Sequence, residues 1–179
     1  MTPEQVRDIL DFWFSQDPER WWKVDPAFDQ AIRDRYLTLW EEERENVPDH
    51  FLGEPDTALA AVLLFDQFPR NMFRGHADQF STDPLALAVA KGAVARGDDD
   101  GMTSARRGFL YLPFEHSENM ADQRESLLLF TALGDSDLLG YARKHYEIIE
   151  KYGRFPHRNA MLGRKPTALE AAGGDMVPW

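Results

Sequence analysis

The chain has 179 residues, of which 43% are hydrophobic and 28% are charged, a composition typical of one globular domain that buries a sizeable core. Its net charge of -11 argues against nucleic acid as a partner, because binding to a phosphate backbone needs a basic surface. It contains no cysteine, which excludes disulfides, thiolate metal sites and cysteine nucleophiles.

The sequence also argues against export and membrane insertion. The N-terminus lacks the basic region and apolar run of a signal peptide. No segment approaches the roughly 20 apolar residues that a membrane-spanning helix needs. We therefore predict a cytoplasmic protein with no membrane partner.

The first two predicted helices each begin with a capping residue followed by proline. Thr2, Pro3 and Gln5 form a capping-box pattern, and Asp25-Pro26 repeats the start. Apolar residues follow at helical spacing, which predicts two amphipathic helices. These residues are Val6, Ile9, Leu10, Trp13 and Phe14 in the first helix, and Phe28, Ile32, Tyr36, Leu39 and Trp40 in the second.

The third predicted helix begins near Pro55. It is apolar on all sides from Leu59 to Phe65, which is typical of a central buried helix, and we expect Pro69 to end it. Asp83-Pro84 starts a fourth helix that ends around Gly97.

Four more helix starts follow. Thr103 or Ser104 caps a fifth helix, Ser117 a sixth, and Asp135 or Ser136 a seventh, in which His145 lies beside the apolar stripe; Thr167 and Glu170 form a capping box over a short last helix. No alternating strand pattern appears. We predict one all-α domain over residues 1–179, with about seven to eight helices in an array or an irregular bundle.

One phrase occurs twice in the chain. The first copy, Gln67–Gly75, reads QFPRNMFRG, and the second, Arg154–Arg164, reads RFPHRNAMLGR. Both contain Phe-Pro, then Arg-Asn, then a glycine with an arginine beside it. Residues 151–165 hold five basic residues and no acidic one, so the second copy is a basic island on an acidic protein.

The arginines and asparagines of the two phrases are candidate ligand-binding residues. The planar forks of arginine suit carboxylate or phosphate, and proline rigidifies the backbone close to them. We predict that they bind an anionic group: Arg70, Asn71, Arg74, Arg154, Arg158, Asn159 and Arg164. The alternative is that these arginines pair with internal carboxylates and attach loops to helices.

A second polar cluster runs from Leu112 to Asn119. Glu115, Glu118 and Asp122 are spaced i, i+3, i+7, which would put three carboxylates along one helix face. We predict His116, His157, Glu115 and Glu118 as catalytic residues, with a histidine moving a proton and a glutamate orienting it. With His116 and His157 these carboxylates could also form a hard-metal site, but the spacing matches no recognised ligand signature, so no metal and no cofactor is predicted. Alternatively, the acids favour the N-terminal end of a helix capped by Ser117 and pair with the arginines.

Several of these phrases resemble a bacterial family catalogued as domain of unknown function 924. The matching stretches are Asp11–Phe14, Asp66–Asn71 with Phe73–Gly75, Leu110–Glu118, and Gly153–Asn159 with Leu162–Arg164. The resemblance spans nearly the whole chain and implies a tetratricopeptide-like all-α fold. It implies no catalytic residue, since the family carries no established activity. The tail from Ala171 to Trp179 is looser than the helical ending that the family leads us to expect.

The sequence is consistent with three functions. The first is a pocket for a small anionic molecule, in a binding protein or an enzyme. The second is a helical interaction module that grips an acidic or C-terminal peptide with the same arginines. The third is a structural network of ion pairs with no ligand. The first two require that the two copies of the phrase meet in space. The sequence leaves the oligomeric state open.

Overall fold

A computed structural model describes residues 1–173 and is all-α, with no strand in that range. The α-helices are α1 (Pro3–Phe14), α2 (Pro26–Glu43), α3 (Pro55–Val62), α4 (Phe68–Met72), α5 (Asp83–Arg96), α6 (Ser104–Glu115), α7 (Met120–Leu133), α8 (Ser136–Tyr152) and α9 (Ala168–Ala172). A π-helical turn, Leu63–Gln67, joins α3 to α4, so the two run as one helix and the described chain has eight helical units. Short 3₁₀ turns lie at Pro18–Trp22, Pro48–Phe51, Ala77–Phe80 and Pro156–Arg158.

Most helices begin where the sequence predicts. Thr2 and Gln5 form a capping box on α1, and the Asp25 side chain accepts from two backbone amides at the start of α2. Thr167 and Glu170 form the predicted box on α9. Each of these helix starts depends on residues within one turn of each other, so a short stretch of sequence is enough to predict it.

The core surrounds α3, whose residues Ala58 to Val62 are all fully buried. α3 packs against α1, α5 and α6, while α2 packs against α4. Aromatic rings from separate elements fill the space around Trp13, which contacts Trp21, Phe28 and Phe109. α6, α7 and α8 pack on one another in chain order. This mixture of a central helix and sequential pairs leaves the tetratricopeptide-like array as a prediction.

Pro69 does not end the third helix, contrary to our expectation. It has no N–H to donate to the Phe65 carbonyl, and the Thr82 hydroxyl donates to that oxygen instead, at 2.7 Å. The π turn also lets the Phe68 amide donate to the Leu63 carbonyl, five residues back. The helix therefore continues through Pro69 to Met72, because the Thr82 hydroxyl replaces the missing bond.

The second polar cluster is not one helix face, which corrects another expectation. Glu115 is the last residue of α6, Glu118 lies in the connection, and Asp122 is in the first turn of α7. Asn119, and not Ser117, caps α7, since its side chain accepts from the Ala121 amide at 2.8 Å. The Ser117 hydroxyl instead donates to Asp122 at 2.7 Å.

Within residues 1–173 no helix has the length and apolar character needed to cross a bilayer. α9 is present at Ala168–Ala172, so the predicted short last helix is confirmed. The part of the loose C-terminal tail that follows Gly173 lies outside the described residues.

Candidate functional site

The two copies of the repeated phrase meet at one carboxylate, that of Asp83. Arg70, from α4, makes two bonds to it, with Nη1 2.8 Å from Oδ1 and Nη2 3.1 Å from Oδ2. Arg158, from the second copy, places Nη1 3.3 Å from the same Oδ2. Asp83 is the first residue of α5, where the helix dipole also favours a negative charge. The convergence that both ligand-binding hypotheses require is therefore present.

Arg70 is positioned by the π turn. Its Nη1 donates to the Asp66 carbonyl at 2.5 Å and lies 3.3 Å from Asp66 Oδ1. Burial disfavours the charged guanidinium, but the carboxylates of Asp66 and Asp83 prevail and raise the pKa of Arg70 above its ordinary value. Arg70 is thus a permanently charged group held between two carboxylates.

Arg158 lies between two aromatic rings. Its guanidinium carbon is 4.5 Å from the centre of the Phe80 ring and 4.4 Å from that of Phe155. Nη2 donates to the His116 carbonyl at 3.1 Å, whereas the buried Nε has no hydrogen-bond partner among the described residues. Burial, followed by repulsion from Arg70, lowers the pKa of Arg158 to about 10 despite the attraction of Asp83. This cation is less well compensated than Arg70.

Asp66 and His116 form a buried pair on the inner side of the arginines. Asp66 Oδ1 lies 2.8 Å from His116 Nδ1, and Gln67 donates to Oδ2. Burial opposes ionisation of Asp66, yet Arg70 and His116 hold the pKa of its carboxyl below the ordinary value. Because an ionised carboxylate only accepts, Nδ1 carries the proton. Burial and the charge of Arg70 lower the pKa of His116, so its ring is neutral near pH 7.

Glu115 and His145 complete the cluster. His145 comes from α8, and its Nδ1 lies 2.9 Å from Glu115 Oε1 and 2.9 Å from the Tyr141 carbonyl oxygen. The rings of His116 and His145 are 6.0 Å apart between centroids. The six side chains that converge here are buried or half-buried, and we call them the central cluster: Asp66, Arg70, Asp83, Glu115, His116 and Arg158, with His145 at its edge.

Asn71 and Arg74 lie outside the central cluster. Both bind the carboxylate of Asp29, in the first turn of α2, with Asn71 Nδ2 2.7 Å from Oδ1 and Arg74 Nε 2.8 Å from Oδ2. These contacts attach the end of α4 to the start of α2. The two residues are therefore placed as anchors of the helix pair.

Arg154 is also engaged elsewhere. It forms a two-bond contact with Glu170, at 2.7 Å for each, and Nη2 donates to the Lys165 carbonyl. Glu170 is at the same time the acceptor of the α9 capping box. Arg154 thus attaches α9 to the end of α8, away from Asp83.

Arg164, Asn159 and Glu118 form a third group beside the central cluster. Arg164 binds Glu118 through Nη1 at 2.7 Å and Nη2 at 2.9 Å, and its Nε donates to Asn159 Oδ1. Glu118 also accepts from the Phe155 amide at 2.7 Å. Burial opposes ionisation of Glu118, but Arg164 and that amide keep its pKa below the ordinary value. Glu118 is therefore an ionised anchor for the second phrase.

His157 is half-buried next to Phe155, with ring centroids 5.7 Å apart. Burial, followed by the charge of Arg158, lowers the pKa of its imidazole to about 4. The ring is neutral over most of the physiological range, so it does not switch charge near pH 7 as an unperturbed histidine would.

Sequence reasoning missed three members of this arrangement. Asp66 had a usable signal, because an acidic residue within a helix that is apolar on all sides needs an internal partner. The sequence identified Asp83 only as the start of a helix, and it placed His145 only beside the apolar stripe of α8. Asp83 acts through Arg158, which lies 75 residues further along the chain, and His145 acts through Glu115, which lies 30 residues before it.

The side chains of the central cluster are buried or half-buried, and both arginines bond the Asp83 carboxylate. Two shallow surface depressions, of about 370 and 330 Å³, are lined by other residues, including Phe14 with Arg106 and Phe114 with Lys91. Any molecule bound by Arg70 and Arg158 would therefore have to displace Asp83.

Comparison with known proteins identifies a family and a fold class, and the matching descriptions name no activity. Residues 9–173 match a family described as "Bacterial protein of unknown function (DUF924)", which confirms the family resemblance. A solved structure of a protein of unknown function from Agrobacterium tumefaciens is 40% identical, with a TM-score of 0.88 over 97% of this chain and 98% of that chain. It confirms the all-α class. No curated protein matches the chain.

Proposed function

Since the chain belongs to this family of bacterial proteins, whose description names no activity, its function has to be argued from its residues, and we propose that it binds a small anionic molecule between Arg70 and Arg158. The ligand carries a carboxylate or phosphate that takes the place of the Asp83 side chain. The observation that carries the proposal is the sharing of one carboxylate by two arginines from distant copies of one phrase.

The geometry of the Asp83 contact supports an anion of this class. Arg70 offers both of its terminal nitrogens in the parallel arrangement that suits carboxylate and phosphate oxygens. Arg158 adds a third donor, and its guanidinium is held by Phe80 and Phe155 before any ligand arrives. A clamp that is already ordered loses little side-chain entropy on binding.

Burial supports a small molecule over a peptide. Arg158 is 7% exposed and Asp66 is fully buried, so the central cluster offers no open groove along which a chain could lie. The incomplete compensation of Arg158 supports an exchangeable anion, because a ligand with more than one charge would neutralise it better than Asp83 does.

Proton transfer stays a prediction within this proposal. His116 is the predicted proton acceptor, because Asp66 bonds its Nδ1 and so leaves Nε2 with the lone pair. The residue that orients His116 is thus Asp66, where the sequence had predicted Glu115 or Glu118. Glu118 bonds Arg164 and the Phe155 amide, and His157 lies beside the Phe155 ring, so both side chains are placed at the second phrase.

The test removes the negative charge of Asp83 from between Arg70 and Arg158. Asp83→Asn removes the internal charge while it keeps the size, so inorganic phosphate should stabilise this variant more than the wild-type protein. Phosphate at about ten times its Kd stabilises by roughly 1.4 kcal/mol, or about 3–6 °C in Tm for a protein of this size. The measurement is thermal unfolding across a phosphate titration, with a sulfate titration beside it.

A matched control uses the outlying pair. Asp29→Asn frees Arg74 in the same way, at a position away from the central cluster. An equal phosphate response in Asp29→Asn, or no added response in Asp83→Asn, would reject the proposal and leave a structural ion-pair network. Loss of the response in Asp83→Asn/Arg158→Gln would support it.

A further inference from the structure

Three metal-binding side chains meet at the inner edge of the central cluster. Glu115 ends α6, His116 follows it directly, and His145 reaches them from α8. One ligand atom of each residue lies within 4.8 Å of those of the other two. We propose that Glu115, His116 and His145 bind one divalent transition-metal ion of the Zn²⁺ class.

An orphaned oxygen supports a cation here independently of that spacing. Glu115 is 3% exposed, and its Oε2 has no hydrogen-bond partner among the described residues. Buried carboxylate oxygens are nearly always bonded, because leaving one desolvated and unpaired is costly. A metal ion at this oxygen supplies the missing partner.

The count of charged groups also favours a cation. The central cluster holds three carboxyl groups, those of Asp66, Asp83 and Glu115, against two guanidinium groups. Arg70 and Arg158 are both committed to the aspartates, so neither compensates Glu115 by a direct bond. Glu115 is therefore the carboxyl group of the cluster that bonds neither guanidinium, and it is also the one with the orphaned oxygen.

The contacts around the ligands are those of a metal site. The His116 Nδ1 bonds Asp66 at 2.8 Å, a carboxylate–histidine pairing that orients the ring and leaves the other nitrogen for a metal. The Glu115 carbonyl accepts from Gln123 Nε2 at 2.6 Å, which fixes the end of α6. His145 Nδ1 contacts the Tyr141 carbonyl at 2.9 Å.

The distances require little adjustment. Zinc bonds of about 2.1 Å in a tetrahedral site put two ligand atoms roughly 3.4 Å apart. The ligand atoms of Glu115, His116 and His145 lie within 4.8 Å of one another, so the side chains have to close by at most about 1.4 Å. Two imidazoles and one carboxylate form the donor set of catalytic zinc sites, and it leaves a fourth position for another group.

This inference goes beyond the anion site and does not depend on it. The sequence predicted no metal, because the ligands come from two helices 30 residues apart and match no linear signature. In the metal-bound protein the lone pair of His116 is committed to the ion, so its role as proton acceptor would apply only to the metal-free protein.

The test uses untagged, full-length protein stripped with a chelator. Titration with Zn²⁺ by calorimetry, and with Co²⁺ by visible absorption, should give one site per chain. Glu115→Gln and His145→Gln should each weaken binding at least tenfold, and Asp66→Asn about tenfold to a hundredfold, because it orients His116. His157→Gln and His76→Gln are the matched controls and should bind as the wild-type protein does.

The outcomes separate this inference from the anion site. Absence of one-to-one binding, or affinities unchanged in the Glu115→Gln/His145→Gln double variant, would overturn it. Because Glu115→Gln keeps the size of the side chain, circular dichroism of each variant checks the fold. Zn²⁺ should raise the Tm of the wild-type protein more than that of Glu115→Gln. The phosphate response of Asp83→Asn is measured with chelator present, so failure of one result leaves the other intact.

Discussion

The two copies of the repeated phrase have similar residues but different backbones. Phe68–Gly75 enters as helix α4 after a π turn, whereas Phe155–Arg164 enters as an extended residue and a 3₁₀ turn. Both reach a glycine with a left-handed backbone, Gly75 with a φ of 81° and Gly163 with a φ of 63°. The common element is therefore the exit from the phrase and not its secondary structure.

The division of labour between the arginines is the same in both copies. The arginine of each Arg-Asn pair, Arg70 in the first copy and Arg158 in the second, binds Asp83. The arginine beside the glycine, Arg74 or Arg164, binds a carboxylate just before or within the first turn of another helix. Each copy thus gives one arginine to the central cluster and the arginine beside its glycine to an anchor, while Arg154 of the second copy is a further anchor on Glu170. Similar residues can therefore reach matching roles from different backbones.

The largest effect should come from the arginine that has two partners. Arg70→Met leaves Asp66, which is fully buried, and Asp83 without their main cation, and we expect a loss of about 3–5 kcal/mol in the free energy of unfolding. Arg158→Met should cost less, about 1–2 kcal/mol, because Arg70 still holds Asp83 and a poorly compensated buried charge is removed.

Urea unfolding of both variants, followed by circular dichroism, measures this difference. Equal losses, or a larger loss in Arg158→Met, would contradict the view that the two arginines are unequal members of one cluster. The double variant adds the coupling between them, which should be large because they share a partner.

The next effect concerns the π turn that makes the first copy helical. Thr82→Val removes the hydroxyl that donates to the Phe65 carbonyl and accepts from Trp40 Nε1. Because both groups stay buried and lose a partner, we expect a loss of about 2 kcal/mol. Thr131→Val is the control, since its hydroxyl bonds an exposed carbonyl within α7 and its loss should cost under about 0.5 kcal/mol. Equal losses in the two threonine variants would show that the π turn does not need Thr82.

A smaller effect compares the two anchors. Arg164→Gln breaks a two-bond contact with Glu118 and a bond to the Phe155 carbonyl, at side chains only 25% and 28% exposed, and should cost about 1–2 kcal/mol. Arg74→Gln should cost less than about 1 kcal/mol, because Arg74 is 41% exposed and more screened by solvent. Thermal unfolding at low and high salt checks both values. A stronger salt dependence at Arg164 than at Arg74 would argue against this ranking.

The smallest effect is a dependence on pH that only the second copy should show. Burial and Arg158 lower the pKa of His157 to about 4, against about 6.5 in an unfolded chain. Between these values the unfolded state binds more protons, so the histidine contribution lowers stability as pH falls from 6.5 towards 4. His157→Gln should reduce this loss by under about 1 kcal/mol, or about 2–4 °C in Tm, since the ring is partly open to solvent.

Thermal unfolding at pH 7.5, 6.5 and 5.5 measures it, with His76→Gln as the exposed control. This range lies above the ordinary pKa of the carboxyl groups, which keeps Asp66 and Glu118 ionised throughout. A pH profile of His157→Gln identical to that of the wild-type protein would contradict the assignment.

Much of the fold could be predicted from the sequence because its signals are local. The capping boxes at Thr2 and Thr167 and the buried run of α3 each involve residues within a few turns of one another. The errors have the opposite cause. Pro69 failed as a helix end because Thr82, thirteen residues away, replaces its missing bond, and Ser117 failed as a cap because Asn119 competes for the same helix start.

The candidate site could be predicted only in part. The ligand-binding hypotheses drawn from the sequence required that the two phrases converge, and the arginine of each Arg-Asn pair does reach the central cluster. The sequence did not indicate that Asn71 with Arg74, or Arg154, would be bound elsewhere, by Asp29 and Glu170. Residue type shows that an arginine needs an anion, but it does not show which of 31 acidic residues supplies it.

Taken alone, the sequence determined where most helices begin, which helix is central and which two phrases concentrate arginine and asparagine, since these follow from spacing and residue chemistry. Only the tertiary structure decided that Asp83 is their shared partner and that Glu115 lies beside His145 with an unpaired oxygen. Those contacts join residues far apart in the chain, and their positions depend on how whole helices pack. Helix packing therefore decides which charges are compensated and which are left for a ligand.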